Sequence, residues 1–226
     1  MVSMKEFTMN RRFLIQVLAV LAASPLLMQT MPAFAADEAP DALINRLTKD
    51  ALDTIASDKA IQGGDVGRIV ALVDEKIMPF VNFQRMTSSA VGPAWRQATP
   101  EQRKQLETEF KTLLVRTYAV AMSQAKNLSF NVKPLRMAAD DKEVIVRTVI
   151  TGRGDPVQLD YRLEKTPGVG AGWKIFNLNV LGVWLVDTYR SQFAQEINAK
   201  GLDGLIANLT VRNKANAAGA VKPAKG

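Results

Sequence analysis

The segment from Pro156 to Phe193 constrains the fold more than any other part of the sequence. It begins with strict alternation of apolar and polar residues from Val157 to Glu164, which is the period of a β-strand with one buried face and one wet face. A turn rich in glycine follows at 167–172, and a second strand is predicted over Trp173 to Val180. The run from Ile175 to Val186 contains only two asparagines among its apolar residues. This end of the sheet must therefore be covered by the chain's own helices or by a ligand.

Two further strands are predicted before this segment, at Ser129–Arg136 and Glu143–Thr151. Turn-forming residues, Asp140 and Asp141, lie between them, and Gly152 to Pro156 turn the chain into the next strand. Because strand follows strand with only turns between them, the pattern predicts an antiparallel meander.

Helical patterns surround the predicted strands on both sides. The clearest helix start is Thr99-Pro100, where Gln102 completes a capping box, and this helix is expected to end near Lys126. After the sheet, a helix is predicted from Asp187, with Gly201 as the residue that ends it. Together the patterns predict an α+β fold, in which helices cover one face of a twisted antiparallel sheet of four or five strands.

Residues 1–35 are typical of a secretory signal peptide that is cleaved. Lys5 and the Arg11-Arg12 pair give it a positive start, an apolar stretch follows, and Ala33-Phe34-Ala35 fits a cleavage site. An arginine pair also occurs in twin-arginine leaders, so the sequence does not choose between the two export routes.

The rest of the chain is long enough for one domain, predicted over residues 36–212. Residues 213–226 are rich in alanine, glycine, lysine and proline and are predicted to be a disordered tail. Removal of the leader takes away three cations and one anion, so the formal net charge falls from +7 to +5. A mild positive charge suits an anionic membrane or an acidic partner, and without basic runs no nucleic-acid binding is expected.

Cysteine and histidine are both absent from the sequence. The exported domain must therefore be held together by its core alone. The absence of histidine removes the usual catalytic triads, the common zinc sites and the commonest general base near neutral pH. We accordingly predict that the protein is not an enzyme and that it holds no metal and no cofactor.

Eight short motifs follow one another along the predicted mature chain. They are Phe80-Val81 after a proline, Ala98-Thr99-Pro100-x-Gln102-Arg103, Phe110-x-x-Leu113-x-x-x-Thr117-Tyr118, Val157-x-Leu159-Asp160-Tyr161, Gly172-Trp173-Lys174-Ile175-Phe176-Asn177, Gly182-Val183 before Leu185-Val186, Tyr189-Arg190-Ser191-x-Phe193 and Gly201-Leu202-Asp203-Gly204-Leu205. In this order they resemble the MlaC family, the periplasmic phospholipid-binding component of the maintenance-of-lipid-asymmetry pathway, whose members are also labelled toluene-tolerance auxiliary proteins.

The resemblance implies an architecture similar to nuclear transport factor 2 (NTF2-like), with a deep apolar cavity between sheet and helices. It also implies a periplasmic carrier whose cargo is phospholipid. Its expected partners are an outer-membrane lipoprotein complex and an inner-membrane ABC transporter with a substrate-binding ring. This chain has Leu181 and Trp184 where many members carry an acidic residue and a serine, which makes the end of the strand more apolar.

Apolar residues from both helices and sheet are the candidates for contact with lipid. Each of them fits plain core packing as well as it fits ligand contact. The candidates are Ile77, Phe80, Val81, Phe83, Leu114, Tyr118, Met122, Val146, Ile150, Leu159, Tyr161, Phe176, Val180, Val183, Leu185 and Tyr189. Three arginines, Arg85, Arg147 and Arg190, are candidates for contact with phosphate at the mouth of the cavity.

Three other functions fit the same sequence. A chaperone for lipoproteins would also hide acyl chains, but its ligand would be a lipidated polypeptide. A structural adaptor would use the apolar residues only to fill its own core. A hydrolase would need a carboxylate mechanism, for example with Asp160 and Tyr161.

Overall fold

The structure is a computed structural model that describes residues 38–152 and 154–217. The predicted leader and residues 218–226 lie outside the described residues. The helices are α1 (Pro40–Ser57), α2 (Lys59–Gln62), α3 (Val66–Leu72), α4 (Phe83–Val91), α5 (Pro100–Ser123) and α6 (Leu185–Ala217). The strands are β1 (Ser129–Val132), β2 (Glu143–Thr151), β3 (Val157–Lys165), β4 (Trp173–Val180) and β5 (Val183–Trp184).

The five strands form one sheet in the order β1-β2-β3-β4-β5, and every neighbouring pair is antiparallel. This is the predicted meander, and the predicted α+β class is confirmed. The last strand has only two residues and continues directly into α6. The chain therefore runs directly from the apolar end of the sheet into the helix that packs against the core.

One face of the sheet, called here the inner face, packs against helices. In the register, Val144 lies beside Leu163 and Leu163 beside Ile175, so the three side chains share this face. They pack with apolar residues of α1 in one buried cluster. The alternating residues of the same strands, including Arg147 and Asp160, lie on the opposite face.

A β-bulge in β4 breaks the alternation on the inner face. Arg162 pairs with Asn177, but Leu163 pairs with Ile175, so Phe176 is the extra residue. Ile175 and Phe176 are both buried, and they belong to different clusters. Ile175 packs with α1, while Phe176 packs with α4 and α6, so the bulge lets one strand serve both parts of the core.

Aromatic side chains form the centre of the largest cluster. Phe110 on α5 has its ring centroid 5.0 Å from that of Tyr189 and 5.2 Å from that of Phe193, both on α6. The ring of Phe83 on α4 lies 5.7 Å away. Phe110 therefore joins three helices, and edge-to-face contacts of this kind add to the stabilisation from burial.

Most of the predicted helix boundaries agree with the structure. Thr99 and Gln102 form the capping box at the start of α5, and Gly201, with φ of 69°, interrupts α6 as the predicted break. The end of α5 at Ser123 is earlier than the predicted Lys126. No helix within the described ranges combines the length and the apolar character needed to cross a bilayer.

The predicted tail needs a correction at its start. Residues 213–217 are the last part of α6, and Asn213 is buried. Its side-chain Nδ2 donates to the backbone oxygen of Glu109 at 2.9 Å, and the Asn213 backbone oxygen accepts from Arg116. Composition alone predicted disorder here because it does not show that α5 supplies partners for this residue.

Candidate functional site

The inner face of the sheet divides into a closed half and an open half. In the closed half, α1 buries residues such as Val144 and Leu163. In the open half the apolar side chains keep part of their surface exposed. Thr148 lies opposite Leu159 on the same face, is fully buried, and marks the border between the two halves. The open half consists of Phe130, Ile150, Val157, Leu159, Val180 and Val183.

The strand register shows that these six residues share one face. Ile150 is opposite both Phe130 and Val157, which makes one row. Val180 is opposite both Leu159 and Val183, which makes the next row. These two adjacent rows of apolar residues are only partly covered by helices and form a contiguous patch, and such patches mark ligand or partner contacts.

Half-buried side chains of α5 lie along the same part of the core. Leu114 and Tyr118 pack against the cluster around Phe110, as do Leu178 and Val180 of β4. Met122, one turn further along α5, packs against a third cluster with α3. The helix layer therefore has apolar side chains that are not fully buried, and they lie next to β4, which contributes Val180 to the open half.

The structure brings half of the predicted lipid-contacting residues into one cluster. These are Val81, Phe83, Leu114, Tyr118, Phe176, Val180, Leu185 and Tyr189. Phe80, Val146 and Tyr161 belong to the cluster with α1, and Met122 belongs to the third cluster. Ile150, Leu159 and Val183 lie on the open half outside these clusters, and Ile77 is half-buried in the turn of π-helix after α3.

Three residues of this region were missed by the sequence reasoning. Val157 and Leu178 are two residues from the chosen Leu159 and Val180, so strand alternation places them on the same face and could have found them. Phe130 enters the patch through the pairing of β1 with β2, and its position depends on a register that no local pattern gives.

All three tyrosines of the chain lie in apolar surroundings that favour the neutral phenol. Burial raises the pKa of Tyr161 to about 12, although a hydrogen bond with Thr48 of α1 offsets part of the effect. Burial also raises the pKa of Tyr118 and of Tyr189. The polar ends of these side chains are therefore poorly hydrated.

The Tyr161 phenol should make stability fall at high pH. The unfolded chain releases this proton near pH 10, whereas the folded chain keeps it until about pH 12. Proton release therefore favours the unfolded state as the pH rises between these values, at a cost of roughly 2 kcal/mol. Urea unfolding of the wild type and of Tyr161→Phe measures this, and we expect a shallower decline in the variant. Parallel curves for the two proteins would contradict the assignment.

The three candidate arginines do not converge on the open half. Arg85 forms ion pairs with Glu143 and Glu164, and its guanidinium carbon lies 3.6 Å from the ring centroid of Phe176. Arg190 donates from Nε to the backbone oxygen of Ser89 at 2.8 Å. Arg147 lies on the opposite face of the sheet and cannot contact a ligand on the inner face.

Two concavities flank Pro134 after the edge strand β1. One has a volume of about 240 Å³ and includes Ile145 and Arg147 in its lining. The other has a volume of about 480 Å³ and lies against the start of α1, at Asp41 and Arg46. Neither includes a residue of the open half or of the predicted lipid-contacting set. The candidate site therefore depends on the apolar face and on neither of these concavities.

The paired residues of the hydrolase alternative point to different sides of the sheet. Asp160 and Tyr161 are consecutive in β3, so their side chains lie on opposite faces. Asp160 is buried and its Oδ2 accepts from Gln158 Nε2 at 2.7 Å. The two groups cannot act on one substrate. Within residues 38–152 and 154–217 no cluster of acidic side chains is placed to hold a metal ion.

Comparison with known proteins identifies the family. The family model described as MlaC protein matches residues 45–211. The chain belongs to the MlaC family. The resemblance carried by the eight sequence motifs is thus confirmed over nearly all of the described domain.

Relatives within the family include two bacterial proteins with descriptive names. The chain is 27% identical to the toluene tolerance protein ttg2D of Pseudomonas putida, over 83% of each chain. It is 21% identical to the intermembrane phospholipid transport system binding protein MlaC of Haemophilus influenzae, over 77% of this chain and 82% of that one.

A solved structure resembles this fold closely. It is a phospholipid-binding protein from Ralstonia solanacearum in complex with a phospholipid, with a TM-score of 0.75 and 43% sequence identity. The match covers 78% of this chain and 98% of the other.

Proposed function

We propose that this protein is a periplasmic phospholipid carrier that shields acyl chains against the open half of its inner sheet face. The observation that carries the proposal is the pair of apolar rows left partly exposed on that face. The phospholipid bound to the Ralstonia solanacearum relative supports the choice of ligand. The ligand is cargo and takes part in no reaction.

Burial of acyl chains supplies enough energy for tight binding at such a site. Each methylene group moved from water to an apolar environment contributes about 0.8 kcal/mol. The open half would contact one side of the chains, and Leu114, Tyr118 and Met122 of α5 would contact the other. The head group would remain at the solvent-exposed edge of the open half. Because the acyl chains supply the affinity, no charged partner for the head group is needed.

The partners that we propose follow from membership of the MlaC family. We propose that the protein receives or delivers lipid at an outer-membrane lipoprotein complex and at the substrate-binding ring of an inner-membrane ABC transporter. The absence of histidine and the separation of Asp160 from Tyr161 support a binding function without catalysis.

Lipid transfer between two vesicle populations tests the carrier function. Donor vesicles contain a labelled phospholipid. A porous filter that the protein can cross, but vesicles cannot, separates them from acceptor vesicles. We expect label to appear in the acceptor at a rate that rises in proportion to the concentration of protein. A rate that does not depend on the protein would contradict the carrier function even if lipid binds.

A further inference from the structure

The turn between β4 and β5 holds a leucine in an unfavourable backbone conformation. Leu181 and Gly182 are its two residues, with φ of 53° and 87°. Two-residue turns with positive φ at both positions favour Asn-Gly, whereas a leucine in this region is strained because its Cβ approaches the following carbonyl. The hairpin is nevertheless well held, since Leu181 N donates to the Gln158 backbone oxygen at 3.0 Å.

The same hairpin exposes apolar side chains. Leu181 is 64% exposed and Val183 is 47% exposed. Val183 is paired with Val180, so the exposed tip (Leu181–Val183) continues the apolar row of the open half to the surface. Strain and exposed apolar surface both lower stability, and their coincidence at one place indicates a function.

We propose that the hairpin tip inserts shallowly into the surface of a lipid bilayer while acyl chains pass between the bilayer and the open half. The proposal rests on the proposed carrier function and adds a contact to it. An inserted tip places the apolar row next to the acyl region of the membrane, so a chain can move along it without crossing water.

The size and chemistry of the tip favour a bilayer over a protein partner. A stable protein interface buries about 800 Å² on each side, which is far more than two side chains provide. At the base of the tip, the half-buried Trp184 has its ring 4.0 Å from the guanidinium carbon of Arg162. Trp184 pairs with Asn179, so its ring lies on the opposite face of the hairpin from Val183. Tryptophan next to exposed apolar residues in the chain is nevertheless typical of a segment at the membrane interface. A contact of this size is also weak enough for the carrier to dissociate from the bilayer after loading.

Leu181→Asn separates this function from a structural one. Asparagine adopts positive φ readily, so we expect the variant to be more stable, with Tm higher by about 2–4 °C. Loading from vesicles of phosphatidylethanolamine and phosphatidylglycerol should be slower by about tenfold, because the contact of the leucine side chain with the bilayer is lost. The amount of lipid bound at equilibrium should be unchanged.

Val211→Asn is the matched control. Val211 is 66% exposed on α6, and valine and asparagine have similar helix propensities. We expect its loading rate to equal that of the wild type. Equal rates for Leu181→Asn and the wild type would overturn the bilayer contact, as would an equal slowing in both variants. A wild type that takes up no phospholipid at all would instead contradict the proposed function.

Discussion

Replacement of Leu159 by arginine should abolish phospholipid loading of the protein while leaving it folded. Leu159 belongs to the second row of the open half and lies between Thr148 of β2 and Val180 of β4. Because its side chain is only half-buried, a longer arginine can reach solvent without disrupting the core. Its charge would nevertheless lie where the acyl chains pack, and an unpaired charge in apolar surroundings is strongly unfavourable. Lipid extraction measures the amount bound, and circular dichroism checks the fold.

Gln158→Arg is the control for the Leu159 variant. Gln158 is the preceding residue, is exposed, and lies on the opposite face of β3. The same charge one residue away should leave loading at the wild-type level. Normal loading of Leu159→Arg, or equal loss in both variants, would show that the open half is not the lipid-binding face.

Replacement of Phe110 by alanine should produce the largest loss of stability in the described domain. The Phe110 side chain is fully buried and its ring contacts aromatic rings on α4 and α6. Truncation of a buried phenylalanine costs about 3–5 kcal/mol, and loss of the aromatic pairs adds to this. For a domain of this size, we expect Tm to fall by roughly 10 °C. Thermal unfolding followed by circular dichroism measures the change.

Phe130→Ala is the matched comparison. Phe130 is only half-buried, on the open half, so the same truncation should cost about 1 kcal/mol of stability. Its main effect should be on the amount of lipid bound. A stability loss as large as that of Phe110→Ala would place Phe130 in the folding core and remove it from the ligand face.

The local patterns of the sequence predicted the elements, but not which face of the sheet the helices cover. Alternation in β3 predicts that Leu159 and Tyr161 share a face, and both do. Whether that face meets helices depends on α1, whose packing residues lie about a hundred positions earlier in the chain. The open half lies outside the set of residues that pack with α1, and a local pattern does not show which residues belong to that set.

Other features depend on long-range contacts that a local pattern does not contain. The bulge at Phe176 is visible in sequence only as two consecutive apolar residues, which a buried strand without a bulge would also show. Arg85 is a candidate phosphate ligand in the sequence because no local pattern shows its ion pair with Glu164, which lies far along the chain. In the same way, Asn213 belongs to a helix because Glu109 and Arg116 on α5 bind it.

Native mass spectrometry of the protein, purified without detergent, tests the central claim most directly. We predict a bound mass in the range of a diacyl phospholipid, and organic extraction should release that lipid intact and identify its head group. A bare polypeptide mass that stays unchanged after incubation with phospholipid vesicles would contradict the proposed carrier function.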